Sequence, residues 1–417
     1  MLLNSASENI IIGYDLTNTC SQISYSYLKS GSQVETLSAV AGEENYDIPT
    51  ELCKKCGVNQ WLFGKDALRF YENDPLEGIL VDDLFQLAIR GEMVQLGGKG
   101  YDPVALLTLF VKRSLGLLSN IATMDKVYAI LFTCEELSPR IIEVLTMVVN
   151  GLDLKNTKVY FQNYEESFFG YMLHQQQELW KEQSILFDYR SDSVKVMRLQ
   201  KNTKTTPIVV YVDKREKSFD GGDKAFLQLA KEVMADEAIS SVYLIGEKFA
   251  GGWMEDSLRF LCEGRRVFQG NNLYSKGACF CLSERLMPTA AGKEHVFLGE
   301  DKLKSNIGMF VLKRGKESYF AILDAGVDWR DISFECEIYL QDESQLELVV
   351  TPLLGGKVKM VEIPLEGLYL KQGETTRIYM KFTMTQENVL SMEIEDLGFG
   401  MFREPVETVW KREITLD

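Results

Sequence analysis

Histidine is nearly missing: the 417-residue chain has two, His174 and His295, too few for a histidine-centred triad or a histidine-rich metal centre. Carboxylates must carry any acid–base chemistry. Basic residues are also short, 45 Lys plus Arg against 61 Asp plus Glu. The resulting net charge of −16 argues against non-specific nucleic-acid binding and against an anionic membrane surface. No run approaches the ~20 apolar residues of a membrane span, and the opening MLLNSASENI has no basic segment leading into an apolar one. A cytoplasmic protein is expected. The eight cysteines (Cys20, Cys53, Cys56, Cys134, Cys262, Cys279, Cys281, Cys336) have no secretory signal beside them to favour disulfides. Cys53 and Cys56 form a C-x-x-C, but zinc needs two further ligands at motif spacing and neither histidine supplies one. Reduced, partly buried thiols are expected.

What is present is an ordinary globular composition, 46% hydrophobic and 25% charged, in a chain long enough for two or three domains. NIIIGYDLTNTCSQISYSYLK runs apolar into Asp15, turns, and alternates at Ile23, Tyr25 and Tyr27, which predicts a hairpin with a carboxylate at its bend. A helix is predicted from Pro103 to Ser119. DKVYAILFTCEEL predicts a strand buried on both faces. SPRIIEVLTMVVNGL predicts a helix with Ser138 as N-cap and Pro139 at its first position. KVYFQN and YEESFFGYMLHQQQELW then read as strand and helix, completing a crossover unit. SILFDYRSDSVKVMRL repeats the hairpin with Asp188 at the bend, and DKAFLQLAKEVMADEA and SVYLIGEKFAGGWMEDSLRFLCEG continue with helix, strand, glycine turn and helix. The shared opening implies an internal duplication. From about residue 290 short alternating segments dominate, among them SFECEIYL, SQLELVVTPL, KVKMVEIPL, TRIYMKFTM and VLSMEIEDL, which predict an all-β sandwich.

Two carboxylate hairpins followed by a late glycine turn resemble the phosphate and adenosine segments of the actin, sugar kinase and heat-shock chaperone superfamily. The order of segments is most similar to the DnaK-type chaperones, including IPLEGLYLKQGETTRIYMKFTMTQENVLSMEIEDLGFG, which resembles the end of their peptide-binding β-domain. The resemblance implies an actin-like, duplicated ribonuclease H-like α/β ATPase-type domain over residues 1–285, with halves of about 1–180 and 181–285 and the lobe over the adenine reduced or absent. A β-sandwich over 286–417 would follow, with no helical lid after it. It implies ATP or ADP with Mg²⁺ as the ligands to test, held by water-mediated contacts from Asp15 and Asp188, which would also position the hydrolytic water. Thr17, Asn18, Thr19, Arg190, Ser191 and Ser193 would line the phosphates, and Gly246, Glu247 and Lys248 the adenosine.

The departures from the family bear on turnover. Thr17 stands where the family has glycine, and Arg190, Ser191 and Asp192 stand where it has three. Glycine lets a phosphate approach backbone with no Cβ in the way. Asp192 would repel a phosphate charge ~4 Å away by about 4 kcal/mol at an effective dielectric near 20. Arg190 either clamps phosphate or pairs with Asp192 or Asp15, and pairing is the preferred reading. Lys195 replaces another family carboxylate. A scaffold with weak or absent ATPase activity that binds a protein or peptide partner is therefore expected. An active ATP-dependent chaperone with a rewired phosphate site is the alternative. A sugar or acetate kinase would lack the trailing β-domain. Glu165 and Glu166 read as an exposed acidic helix start rather than a general base, and Trp253, Phe260 and Phe268 with Arg259, Arg265 and Arg266 as a packing face rather than a stacking site.

Overall fold

Continuous apolar strands flanked by capped helices assemble into two sheets of the same order in the computed structural model, which describes residues 9–38, 45–154, 156–190, 192–219, 221–235 and 238–416. The chain divides into two units, Met1–Gln200 with Val212–Lys293, and Lys201–Tyr211 with Glu294–Asp417. The expected boundary at 285/286 lies a few residues before the observed one, and the 201–211 segment belongs with the C-terminal unit.

In the first unit, β1 (Ile10–Leu16), β2 (Cys20–Tyr27) and β3 (Glu35–Thr36) form an antiparallel meander. After α1 (Leu84–Arg90) come β4 (Val127–Cys134), α2 (Pro139–Gly151), β5 (Lys158–Asn163) and α3 (Tyr164–Leu173). β4 joins β1 in parallel and β5 joins β4, giving the order β5-β4-β1-β2-β3. All seven residues of β1 are buried, as a strand covered on both faces requires. Both crossover helices start as local chemistry dictates: Ser138 Oγ accepts from Ile141 N at 3.2 Å, and Asn163 Oδ1 from Glu166 N at 3.0 Å, satisfying donors that the first turn leaves unpaired.

The second half repeats this plan. β6 (Gln183–Asp188), β7 (Ser193–Asn202), β8 (Ile208–Ser218), β9 (Ile239–Ile245) and β10 (Arg266–Gln269) take the order β10-β9-β6-β7-β8. Here too the central strand pairs antiparallel with its hairpin partner and parallel with the crossover strand. α4 (Leu273–Leu286) follows and packs against α3 and β1 so closely that a Cβ on Gly277 would overlap the Ser167 carbonyl, and one on Gly13 the Ser275 carbonyl. Glycine at both positions is a packing requirement. β8 and β10 were not foreseen in the sequence: the helix read over 251–272 spans only Glu255–Leu261, with β10 after it, and the predicted helix of the YEESFFGYML segment ends at Leu173 rather than running on through Trp180.

The second unit is built of β-sheet. β11 (His295–Phe297) pairs in parallel with Ile208–Val210 of β8. β12 (Ser305–Lys313), β13 (Lys316–Leu323), β14 (Ser333–Gln341), β15 (Gln345–Pro352), β16 (Lys359–Pro364), β17 (Thr375–Gln386), β18 (Val389–Asp396) and β19 (Val409–Thr415) form two four-stranded sheets, β13-β12-β15-β16 and β14-β17-β18-β19. Their inward residues share one core: Ile307 and Leu348 from the first, and Ile378, Met380, Phe382, Leu390, Met392 and Ile394 from the second, all fully buried. The period of two along β17 and β18 is what puts those residues on one face. β12, β13 and β19 went unpredicted. Among the described residues no helix is long and apolar enough to cross a membrane.

Candidate functional site

Asp15 and Asp188 occupy equivalent places in the two sheets. Each lies at the end of the central strand, with Asp15 in register with Gln22 and Thr133 and Asp188 with Lys195 and Ile245. Each is buried, 3% and 6% exposed, at the end of a strand whose side chains are buried on both faces. Each accepts a phenol from the helix that ends its own half. Tyr164, the first residue of α3, donates to Asp15 Oδ1 at 2.7 Å, and Tyr274, at the start of α4, donates to Asp188 Oδ2 at 3.0 Å. The two rings stack with centroids 3.7 Å apart and planes 4° from parallel. The duplication thus converges on a pair of tyrosine–aspartate bonds meeting face to face. Hydrogen bonds to a charged group contribute about 1.5–3 kcal/mol each.

Arg190 breaks the symmetry. Two residues after its aspartate, where the first half has Thr17, it reaches back and binds Asp188 through both oxygens, Nε to Oδ1 at 2.9 Å and Nη2 to Oδ2 at 2.8 Å. Its Nη1 donates to the Tyr164 hydroxyl at 3.4 Å, and the guanidinium lies 5.2 Å from the centroids of both tyrosine rings. The fork matches a carboxylate, and its flat face suits an aromatic ring. Arg190 is thus paired as expected, but with Asp188 rather than with Asp192 or Asp15. Asp192 instead meets Lys248 at 3.0 Å, because its side chain stands in solvent while the short Arg190–Asp188 span closes inward.

Burial pushes the Asp15 carboxyl up to about 6, against the pull of Arg190 and the Tyr164 hydroxyl and with the help of the Asp188 charge. Burial works against the Arg190 charge, but Tyr164, Asp188 and Asp15 together more than offset it and hold its pKa well above the ordinary value. Both phenols are held well above their ordinary range, by burial first and then by the neighbouring carboxylates. Near pH 7 the Arg190 guanidinium is therefore charged and both phenols are neutral, with Asp15 mostly ionised.

The other expected contacts are distributed around this centre. The Thr17 side chain closes its own turn, accepting from Cys20 N at 3.0 Å and donating to Cys20 O at 2.6 Å, with Thr19 Oγ1 3.2 Å away. Asn18 is spent on α1: its Oδ1 accepts from Gln86 N and its Nδ2 donates to Asp83 Oδ1, each at 2.9 Å. Ser191 lies outside the described residues. Ser193 donates to Glu216, on the neighbouring strand β8. Gly246 follows β9 with φ +112°, its N–H donates to Asn271 Oδ1 at 3.2 Å, and a Cβ there would overlap the Tyr189 carbonyl. The turn continues through Glu247 and Lys248, whose ammonium sits 5.3 Å from the Tyr189 ring centroid. Tyr189 also packs on Phe219, Phe249 and Trp253 with centroids 4.8, 5.6 and 6.5 Å away. Trp253 is therefore part of an internal aromatic cluster, and Phe268 stacks on Tyr243 at 5.1 Å.

Glu165 and Glu166 correct the expectation of an exposed acidic turn. Glu165 is 6% exposed and pairs with Lys214 at 3.1 Å, and Glu166 pairs with Arg285 of α4 at 2.6 Å. Lys214 of β8 and Arg285 of α4 both lie against the start of α3, so these acids meet cations of the other half instead of water. Lys195 likewise reaches across to Glu135, just after β4. Basic residues of the second half, Arg190, Lys195, Lys214 and Arg285, thus face acids and a phenol of the first.

Beside the cluster opens a cavity of about 400 Å³. Asp188, Arg190, Tyr164 and Lys195 form one wall, the Thr17–Asn18–Thr19 turn another, and Phe85, Ile89 and Ile141 an apolar side, with Glu135 and Glu136 also lining it. Tyr164, Tyr274, Tyr189 and Glu135 were not singled out from sequence. Nothing local marks them, since each gains its role from a partner far along the chain.

A model for the C-terminal part of a family of unknown function (DUF5716) matches residues 33–300, and one for a domain of unknown function (DUF8552) matches residues 302–416. No curated protein matches the chain.

Proposed function

Because the chain belongs to the DUF5716 family, whose function is open, the reading has to come from the site itself, and we propose a degenerate scaffold of the actin, sugar kinase and heat-shock chaperone superfamily that binds a protein or peptide partner in the cytoplasm and turns over ATP weakly or not at all. The repeated strand order and the matching positions of Asp15 and Asp188 support kinship with that superfamily. Such likeness of plan says nothing of activity, which depends on the site.

The observation that carries the reading is Arg190. Both oxygens of Asp188 are engaged by its guanidinium and Asp15 Oδ1 by the Tyr164 hydroxyl. Mg²⁺ needs near-octahedral oxygen ligands at about 2.0–2.1 Å and several retained waters, whereas a cationic side chain already neutralises this acid pair. Among the described residues no three His, Cys, Asp or Glu groups gather where a metal could bind. The residues present do not fit the hydrated cation, and no hydrolytic step is assigned through it. At the turn expected to face adenosine, Gly246 lies so close to the Tyr189 carbonyl that no side chain fits there.

The test is calorimetric titration with MgATP together with a steady-state phosphate-release assay. No heat at millimolar MgATP and no phosphate above the blank are expected. Micromolar binding, with turnover lost in Asp188→Ala, would overturn the reading in favour of an active chaperone-type ATPase.

A further inference from the structure

The cavity beside Arg190 has a charge pattern that no polyphosphate suits. Each cation on its wall is already committed: Arg190 to Asp188 and Tyr164, and Lys195 to Glu135. Lys214, which feels both Glu135 and Glu136, is bound to Glu165. Lys248 is bound to Asp192. Against them stand Asp188, Glu135 and Glu136 on the wall and Asp15 behind it, so carboxylates outnumber the cations that face the cavity. Glu136 is exposed at the rim and makes no ion pair among the described residues. The lining also has an apolar part, with Phe85 and Ile89 from α1 and Ile141 from α2.

An acid at the rim, an apolar wall and hydroxyls at the turn match a long basic side chain, whose methylene stem lies on apolar surface while its charged head meets carboxylate. At about 400 Å³ the space falls in the lower part of the range of small-ligand sites, enough for one such side chain with its flanking backbone. The net charge of −16 would draw a basic segment towards the molecule and repel an acidic one. We infer that this cavity receives a lysine or arginine side chain of a protein partner, its head at Glu136 and its stem along Phe85, Ile89 and Ile141. This rests on the reading that the cavity is closed to MgATP, and it adds the chemistry of what enters.

The test uses the full chain labelled with ¹³C at the isoleucine δ1 methyls. It is titrated with a short capped peptide of alternating leucine and lysine, and with counterparts carrying norleucine or glutamate in place of lysine. The expected result is a shift of the Ile89 and Ile141 methyls with the lysine peptide alone. Losing one partly exposed ion pair should weaken that binding up to about fivefold in Glu136→Gln, and Ile141→Ala should weaken it as well. Wild-type methyl spectra of both variants outside the cavity establish that they fold. Shifts confined to other isoleucines, equal response to the norleucine peptide, or unchanged affinity in Glu136→Gln would overturn the inference. A parallel MgATP titration keeps the two readings apart. A silent MgATP titration with no peptide shift removes this inference alone, whereas MgATP shifting the same methyls removes the proposed function.

Discussion

Replacing Asp15 with asparagine should stabilise the protein at neutral pH. The Asp15 carboxyl is 3% exposed and its pKa stands at about 6, against an ordinary 3.8. A carboxylate whose folded pKa is raised binds protons more tightly in the folded state, so its ionisation costs stability as pH rises. The cost is absent below about pH 3.8, grows between there and pH 6, and is complete above. The two pKa values set its size at about 3 kcal/mol. Asparagine keeps an acceptor for the Tyr164 hydroxyl and carries no charge, while giving up the attraction of Arg190, already counted in that net value. The expected gain at pH 7.5 is therefore about 1–3 kcal/mol, read as a rise in Tm of roughly 2 °C per kcal/mol for a domain of this size. The same comparison at pH 4.5 should show most of the gain gone, because wild-type Asp15 is then largely protonated. Thermal unfolding followed by circular dichroism at the two pH values measures both quantities. A variant as stable as wild type or less at pH 7.5, or a difference that does not shrink on acidification, would refute the account of Asp15 as a buried acid under desolvation.

Arg190→Met should act in the opposite sense, losing about 3–5 kcal/mol because Asp188 is left buried without its counter-charge, without raising phosphate release from ATP; urea unfolding and the phosphate assay check the two parts. Gly277→Ala should force α4 away from the Ser167 carbonyl and cost about 1–3 kcal/mol or more, seen as a lower urea midpoint for the first unit. In the second unit Asp396 accepts from Gly398 N at 3.0 Å, Val406 N at 2.9 Å and the Thr376 hydroxyl. Asp396→Ala should cost about 2–4 kcal/mol through those orphaned donors and speed amide exchange at Gly398 and Val406.

The two aspartate hairpins and the two-half plan were readable because they rest on local rules: an apolar strand, a carboxylate at its end, a polar turn and alternation. The helix that carries Arg140 announced its own start through Ser138, whereas the Asn163 cap of the helix that carries Glu166 was not singled out. What joins the hairpins was not readable. Tyr164 and Tyr274 are ordinary helix-start tyrosines until two sheets of the same order bring their rings together. Glu165 and Glu166 likewise read as a solvated acidic turn until Lys214 of β8 and Arg285 of α4 are brought against them. Among the unforeseen strands, β8, β12, β13 and β19 carry mixed polar patterns, since each has only one face on a core or lies at a sheet edge.

By itself the sequence determined the duplicated α/β plan, the change to β-structure after about residue 290, and the presence of a carboxylate at each hairpin, all consequences of periodicity and turn chemistry within a few residues. Only the tertiary structure decided what those carboxylates are bound to. Arg190 could have faced a ligand, Asp192, Asp15 or Asp188, and the choice follows from where folding leaves water. Asp188 is buried and needs a counter-charge inside the fold, while Asp192 stays in solvent and meets Lys248 at the surface.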